Sequence, residues 1–159
     1  MAKEVMARNA SENKYLCKVF HNILNLGLEY LRENYGDEAV REYLTQYANA
    51  FYVPLKQHID QYGLTAIKEY FQRVYEAEEF ADAISFSESS EELIIQISRC
   101  PAVTFLRENG KDISPIFIET TRVIGEALCE GSSFAYSLES YDDSDGASVQ
   151  RFYRKENLS

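Results

Sequence analysis

Cysteine is scarce in this chain of 159 residues, which holds only Cys17, Cys100 and Cys129. An odd and sparse set without a CxxC spacing is neither a disulfide framework nor a zinc motif. Reduced thiols are typical of the cytoplasm, so the sequence predicts a cytoplasmic protein. Residues 1–13 contain no apolar core, which predicts no signal peptide. No segment reaches the roughly 18 apolar residues of a membrane helix.

Positive charge is also in deficit. Sixteen Lys and Arg residues stand against 26 Asp and Glu residues, which gives a formal net charge of -10. The basic residues are scattered along the chain rather than clustered. Such a chain repels phosphate backbones at long range. We therefore expect neither nucleic acid nor a membrane among its partners.

Glycine and proline are few as well, at seven and three residues, so little of the chain is expected to be linker. Hydrophobic residues make up 45% of the sequence, which at this length is enough for one core. We predict a single domain over residues 1–159. In this prediction residues 1–13 are disordered, residues 14–77 form a helical half, and residues 78–155 form a strand-rich half.

The helical half shows apolar residues at the i, i+3, i+4, i+7 spacing of amphipathic helices. The first helix is predicted from a cap at Ser11 to about Tyr35, and the second follows a cap at Asp37. Two more helices are expected over about 55–62 and 64–76. The buried stripe of the second helix is predicted to comprise Val40, Tyr43, Leu44, Tyr47 and Phe51.

The apolar arc of the first helix is unusually wide, with apolar residues from Val19 to Leu31 on several sides. A helix of this kind packs against neighbours on more than one side. The sequence therefore predicts contacts of the first helix in addition to those of its own bundle, and a homodimer is one way to provide them.

The second half changes to the alternation and β-branched residues of strands. A hairpin is predicted from strands over about 80–87 and 93–98, and a second hairpin from 134–141 and 148–154, joined by an Asp-Gly turn. Between them one short helical turn is expected over 102–108, then a fifth helix to about Cys129. The predicted class is α+β, with about four helices followed by a ββαββ unit and an antiparallel sheet.

Several motifs of common enzymes are absent. The sequence contains no P-loop, GxGxxG, GxSxG or HExxH pattern, which argues against nucleotide hydrolases, Rossmann dehydrogenases and serine hydrolases. Two histidines, His21 and His58, are too few for a His-rich metal site. We predict no cofactor and no metal.

His21 and Cys100 are the first two candidates for chemistry. His21 lies at the edge of the apolar arc, where it is either a base at a pocket rim or a half-buried histidine bonded to a neighbour. Cys100 precedes Pro101 at a predicted helix start, where free amides and the helix dipole would lower the pKa of a thiol. A reactive nucleophile and a purely structural cap are both open interpretations.

Glu119, Arg122 and Glu126 share one face of the fifth predicted helix at i, i+3 and i+7. A carboxylate beside a guanidinium suits binding of an acidic substrate or positioning of water. The alternative is a surface salt bridge of small energetic weight.

Several segments together resemble the L-2-amino-thiazoline-4-carboxylic acid hydrolase-like family. They are His21 with Gly27–Leu31 and Tyr35–Ala39, Arg99–Ala102, Glu119–Arg122 with Glu126, Ala127 and Gly131, and Gln150–Phe152. The resemblance spans about residues 14–155. It implies hydrolytic opening of a small thiazoline ring that carries a carboxylate, a C–N substrate. It points to His21, Cys100 and Glu119 as catalytic positions and to Arg122 as the substrate-binding position.

The sequence departs from the resembled family at two positions. That family leads one to expect cysteine where Ile118 stands, and a polar residue or cysteine near Ala147. The layout also resembles vinyl-reductase-type ligand-binding domains, which implies an alternative: a non-catalytic domain that binds a small molecule. Twelve tyrosines fit either an aromatic pocket or the rims of helix interfaces.

Overall fold

A computed structural model describes residues 18–156 as six α-helices and four strands. The expected cap at Ser11, the thiol of Cys17 and the disorder predicted for residues 1–13 lie outside the described residues. In chain order the helices are α1 (Val19–Tyr35), α2 (Asp37–Phe51), α3 (Val53–Tyr62), α4 (Leu64–Ala77), α5 (Pro101–Glu108) and α6 (Glu119–Cys129). The strands are β1 (Ile84–Glu88), β2 (Glu92–Ile97), β3 (Phe134–Tyr141) and β4 (Ser148–Arg154).

Two glycines divide the helical half. Gly36 has φ of +86° between α1 and α2, and Gly63 has φ of +64° between α3 and α4. Residues with a Cβ rarely adopt this backbone region, so glycine allows sharp reversals at both places. Pro54 lies in the first turn of α3, where its missing N–H costs nothing. The helices therefore fold back on one another.

The four strands form one antiparallel sheet in the order β1-β2-β4-β3. Both hairpins pair locally, and the pairing of β2 with β4 joins them across about 60 residues of chain, with Leu93 opposite Phe152 and Ile97 opposite Ser148. Every second residue of β2 is buried on the helix-covered face. The opposite face is more open.

Two apolar clusters hold the helices to the sheet. The sheet-side core combines α3 and α4 with both hairpins and the end of α6, with Ile59, Ile67, Ile95 and Phe152 at its centre. The helix-side core combines α1, α2, α5 and α6. Its most buried members include Leu28, Leu44 and Leu106. Because α6 contributes to both, the two clusters meet along this helix.

The predicted α+β class and antiparallel sheet are confirmed. The predicted ββαββ unit is wrong, because two complete helices, α5 and α6, lie between the hairpins. The segment 102–108 is not a single turn but most of the eight-residue helix α5, which begins at Pro101. The first strand also starts later than predicted, at Ile84, because residues 81–83 form a 3-10 turn with Ala83 buried.

The predicted buried stripe of α2 is confirmed in part. Val40 and Leu44 are buried, whereas Tyr43 and Phe51 are exposed. Those two rings instead contribute to a surface row of aromatic side chains along α2, in which Tyr47 stacks on Phe51. No helix within residues 18–156 has the length and apolar character needed to cross a membrane.

Candidate functional site

His21 and Glu78 form a largely buried polar contact between the start of α1 and the end of α4. His21 Nε2 lies 2.8 Å from Glu78 Oε1, and the two side chains are only 16% and 6% exposed. α1 supplies the histidine in its first turn, and Glu78 stands at the end of α4. The His21 ring also packs against Phe105 of α5. A carboxylate bound to one ring nitrogen fixes the orientation of the imidazole and leaves its other nitrogen as a base.

Cys100 caps the N-terminus of α5, close to that pair. Its backbone is extended, and its carbonyl accepts the first helical hydrogen bond, from the Thr104 N–H at 2.9 Å. The Cys100 N–H donates to the Asp145 carbonyl at 2.8 Å, which ties α5 to the β3–β4 turn. Gly146 follows in that turn, and a Cβ added there would overlap the Cys100 Cβ. The thiol is thus held between a helix end and a hairpin.

Burial raises the pKa of the Cys100 thiol, and the nearby Glu78 carboxylate raises it further. The N–H groups of Val103 and Ala102 act in the opposite direction, as expected at a helix N-terminus, but they are outweighed. The predicted lowering of this pKa is therefore wrong. Here the loss of hydration destabilises the thiolate more than the two amide N–H groups stabilise it. At neutral pH the thiol is protonated.

An open cleft of about 450 Å³ lies at one end of the sheet, and His21, Glu78 and Cys100 are not part of its wall. Its walls include Ser98, Tyr141, Asp142 and Ala147. Burial raises the pKa of the Tyr141 hydroxyl, and the charge of Cys100 raises it further. Ala147, one of the two positions where the resembled family implies a polar residue or cysteine, lines the same cleft.

Glu119 and Arg122 lie together in a second group, on α6 against α2. Arg122 Nη1 donates to Glu119 Oε1 at 2.7 Å, and Arg41 Nε of α2 lies 3.7 Å from Oε2. Glu119 is only 3% exposed, and its Oε2 has no hydrogen-bond donor. The two guanidinium groups are partly exposed. This buried carboxylate is not the surface salt bridge of the sequence-based alternative.

The predicted site residues therefore fall into two groups. His21 and Cys100 lie near Glu78, and we call these three the histidine group. Glu119 and Arg122 lie with Arg41, and we call these three the arginine group. Within the described part of the chain, no hydrogen bond or ion pair joins them. The helix-side core separates α1 and α5 from the exposed side of α6. Glu126, the third residue of the predicted face, is exposed and lines a different cleft.

Sequence reasoning missed Glu78 and Arg41. Arg41 lies in α2 and Glu78 directly follows α4, two segments with many charged residues. Nothing in their spacing separates them from solvated neighbours such as Glu76 or Glu38. Glu78 is buried because it follows the last residue of α4, where the chain turns toward the sheet.

In residues 18–156, no three His, Cys, Asp or Glu side chains converge to hold a metal ion. Comparison with protein-family models finds no match, and comparison with curated proteins finds none either. The resemblance to the L-2-amino-thiazoline-4-carboxylic acid hydrolase-like family stays a prediction.

Proposed function

We propose that this chain is a hydrolase of a small C–N substrate that carries a carboxylate, of the thiazoline type, with its catalytic centre at His21 and Glu78. One observation carries this proposal: a histidine and a carboxylate 2.8 Å apart, both largely buried, with a thiol near the carboxylate. Buried pairs of titratable groups are typical of catalytic sites.

In the proposed reaction, His21 Nε2–H donates to Glu78, and Nδ1 accepts a proton from water. The water adds to the amidine carbon, and the ring C–S bond to that carbon breaks. The two protons of the water end on the ring nitrogen and on the leaving sulfur, which gives an N-carbamoyl cysteine. Imidazolium formed at His21 is stabilised by the adjacent Glu78 carboxylate, as in other histidine–carboxylate pairs. Cys100 lines the site as a protonated thiol, because its raised pKa disfavours a role as nucleophile at neutral pH.

A second location for the same reaction is the arginine group. The unbonded, buried Glu119 Oε2 favours it, since such an atom is a natural acceptor for a donor group. There Arg122 holds the substrate carboxylate and Glu119 activates water or binds the protonated amidine. Arg122 is 42% exposed and keeps guanidinium donors beyond the one bonded to Glu119, so it can still reach an anion.

The second candidate function is a non-catalytic domain that binds a small molecule, of the vinyl-reductase-like type. The raised pKa of Cys100 favours it, because a protonated, inert thiol is consistent with binding alone. The cleft is open to solvent rather than enclosed, and Tyr141 is the one aromatic residue in its wall. This geometry gives the binding function less support than an enclosed Tyr and Phe pocket would.

The test is incubation of the purified protein with L-2-amino-thiazoline-4-carboxylate, with ring opening followed by mass spectrometry. Glu78→Gln should lower kcat by up to about 10⁴-fold, the loss expected when the carboxylate that orients a catalytic histidine is replaced by an amide. Glu79→Gln is the matched control, because Glu79 is the exposed neighbour that binds Lys18 instead. A kcat that is unchanged in Glu78→Gln would remove the proposed centre.

Arg122→Ala distinguishes the two locations. Full turnover by this variant excludes the arginine group, whereas a loss that Glu126→Gln does not share moves the reaction to Glu119. If the wild-type protein shows no turnover, the hydrolase proposal fails. Calorimetric titration with the same compound then tests the binding function directly.

A further inference from the structure

The outward face of α1 is apolar although it is largely exposed in the part of the chain that the structure describes. Val19, Ile23, Leu26 and Tyr30 are between 55% and 60% exposed. At 3.6 residues per turn these four side chains lie within about 60° of one another, nearly opposite the buried Leu28. We call them the α1 seam. Their spacing of four, three and four residues is that of a helix that packs along another helix.

This exposure is specific to one region of the molecule. All ten large hydrophobic side chains that are exposed in the described residues belong to the segment from Val19 to Tyr62. Four of the ten form the α1 seam, and Phe20 extends it on one side. A helix with apolar residues on its buried side and also on its outward side normally packs against neighbours on both. Contiguous apolar patches of this kind mark interaction surfaces.

We infer that the α1 seam is the interface of a symmetric dimer, in which α1 of one copy packs antiparallel to α1 of a second copy. The charges of the helix favour this occupant and this direction. Lys18 flanks the seam at its N-terminal end, where its amine lies 3.3 Å from Glu79 in an exposed ion pair that a second copy would replace. Glu33 flanks the seam at its C-terminal end, on the same side, and is also exposed. In an antiparallel pair the Lys18 of each copy faces the Glu33 of the other copy, which gives two such contacts in the dimer. In a parallel pair like charges would meet.

The α1 seam is also complementary in shape to the α1 seam of a second copy that runs in the opposite direction. Antiparallel pairing about the middle of α1 sets Val19 opposite Tyr30 and Ile23 opposite Leu26, so large residues alternate across the contact. On the other flank, Phe20 of one copy approaches Gly27 of the second. A Cβ added at Gly27 would meet nothing within 4 Å, so this glycine leaves open space on the helix surface for a neighbouring ring.

Sedimentation velocity over a range of protein concentrations tests the dimer. We expect a dimer for the wild type and a monomer for Leu26→Asp, with the dissociation constant raised by about 100-fold or more, because each interface would bury two carboxylates. Val53→Asp is the matched control, since Val53 is an exposed apolar helix residue outside the seam. It should remain dimeric. Ile23→Glu repeats the test at a second seam position, and circular dichroism checks that both variants are folded.

An exchange of the charges at Lys18 and Glu33 tests whether the two α1 helices run antiparallel. Lys18→Glu should raise the dissociation constant by about 3- to 10-fold, the weight of two exposed ion pairs. Adding Glu33→Lys should restore it. A monomeric wild type, or a dimer that Leu26→Asp and Ile23→Glu leave intact, would overturn the inference. Failure of the double exchange to restore affinity would overturn the antiparallel arrangement.

Discussion

At the scale of single residues, position in the chain predicts a residue's chemistry less well than burial does. Cys100 occupies the helix cap that the sequence predicts, and the amides of Ala102 and Val103 act on it as expected. The pKa nevertheless moves upward, because the β3–β4 turn covers the thiol and Glu78 lies nearby. Neither neighbour can be inferred from residues adjacent to Cys100 in sequence.

The raised pKa predicts slow alkylation of Cys100. In a Cys17→Ala, Cys129→Ala background, the rate of reaction with iodoacetamide should stay low at neutral pH and rise above pH 9, since the thiolate is the nucleophile. Glu78→Gln removes a negative charge that raises the pKa, so its rate should begin to rise at lower pH. Rapid labelling of the parent protein below pH 8 would contradict the prediction.

Gly125 is a second residue whose requirement comes from packing. A Cβ added at this position in α6 would overlap the ring of Tyr136 on β3. We expect Gly125→Ala to destabilise the protein by about 1–3 kcal/mol in urea unfolding, the usual cost of overpacking. The ring is the obstacle, so the same change in a Tyr136→Leu background should cost less. Equal costs in both backgrounds would show that the helix does not approach β3 so closely.

At the scale of elements, the sequence predicts those helix and strand bounds that residues close in the chain determine. The bounds of α4 and of both β3 and β4 are found within a residue or two, because glycine and the Asp-Gly turn mark their limits. The sequence does not predict α5 as a full helix, since Pro101 to Glu108 are stabilised by the helix-side core rather than by a strong pattern. The separation of Glu119 from His21 is likewise a result of helix packing.

One element contact was not anticipated. Asn25 of α1 donates from Nδ2 to the Asp112 carbonyl at 2.8 Å and accepts from the Ser114 N–H at 2.9 Å. Glu29, one turn further, binds Arg32 at 2.5 Å and the Ser114 hydroxyl. These contacts attach α1 to the loop before α6. Arg32, the largest cause, and the Ser114 hydroxyl lower the pKa of Glu29 from 4.5 to about 2.

Glu29→Gln should therefore destabilise the protein at pH 7, by about 1 kcal/mol after allowance for the partial exposure of this group. A carboxyl whose folded pKa is lowered contributes stability above its unfolded pKa. That contribution is lost as the pH falls. The difference between wild type and variant should thus shrink from pH 4.5 toward pH 2. Urea unfolding across this range measures it, with the exposed Glu69→Gln as control.

At the scale of the whole molecule, the sheet order determines how the two halves depend on each other. β4 pairs with β2, and the sheet-side core joins α3 and α4 to both hairpins. The end of α6 packs into that core while its start packs into the helix-side core. Neither half of the chain can lose its structure without exposing apolar surface of the other. The single domain over residues 1–159 stays a prediction.

Unfolding should accordingly be cooperative over both clusters. Leu44→Ala removes a fully buried side chain from the helix-side core, at an expected cost of about 2–5 kcal/mol. Native-state hydrogen exchange followed by mass spectrometry should show the same loss of protection in β4 as in α2, although Leu44 lies in the other cluster. The exposed Phe51→Ala serves as the control and should change neither. Undiminished protection of β4 in Leu44→Ala would mean that the helical half unfolds alone. The pairing of β2 with β4 would then stabilise the sheet without the helices.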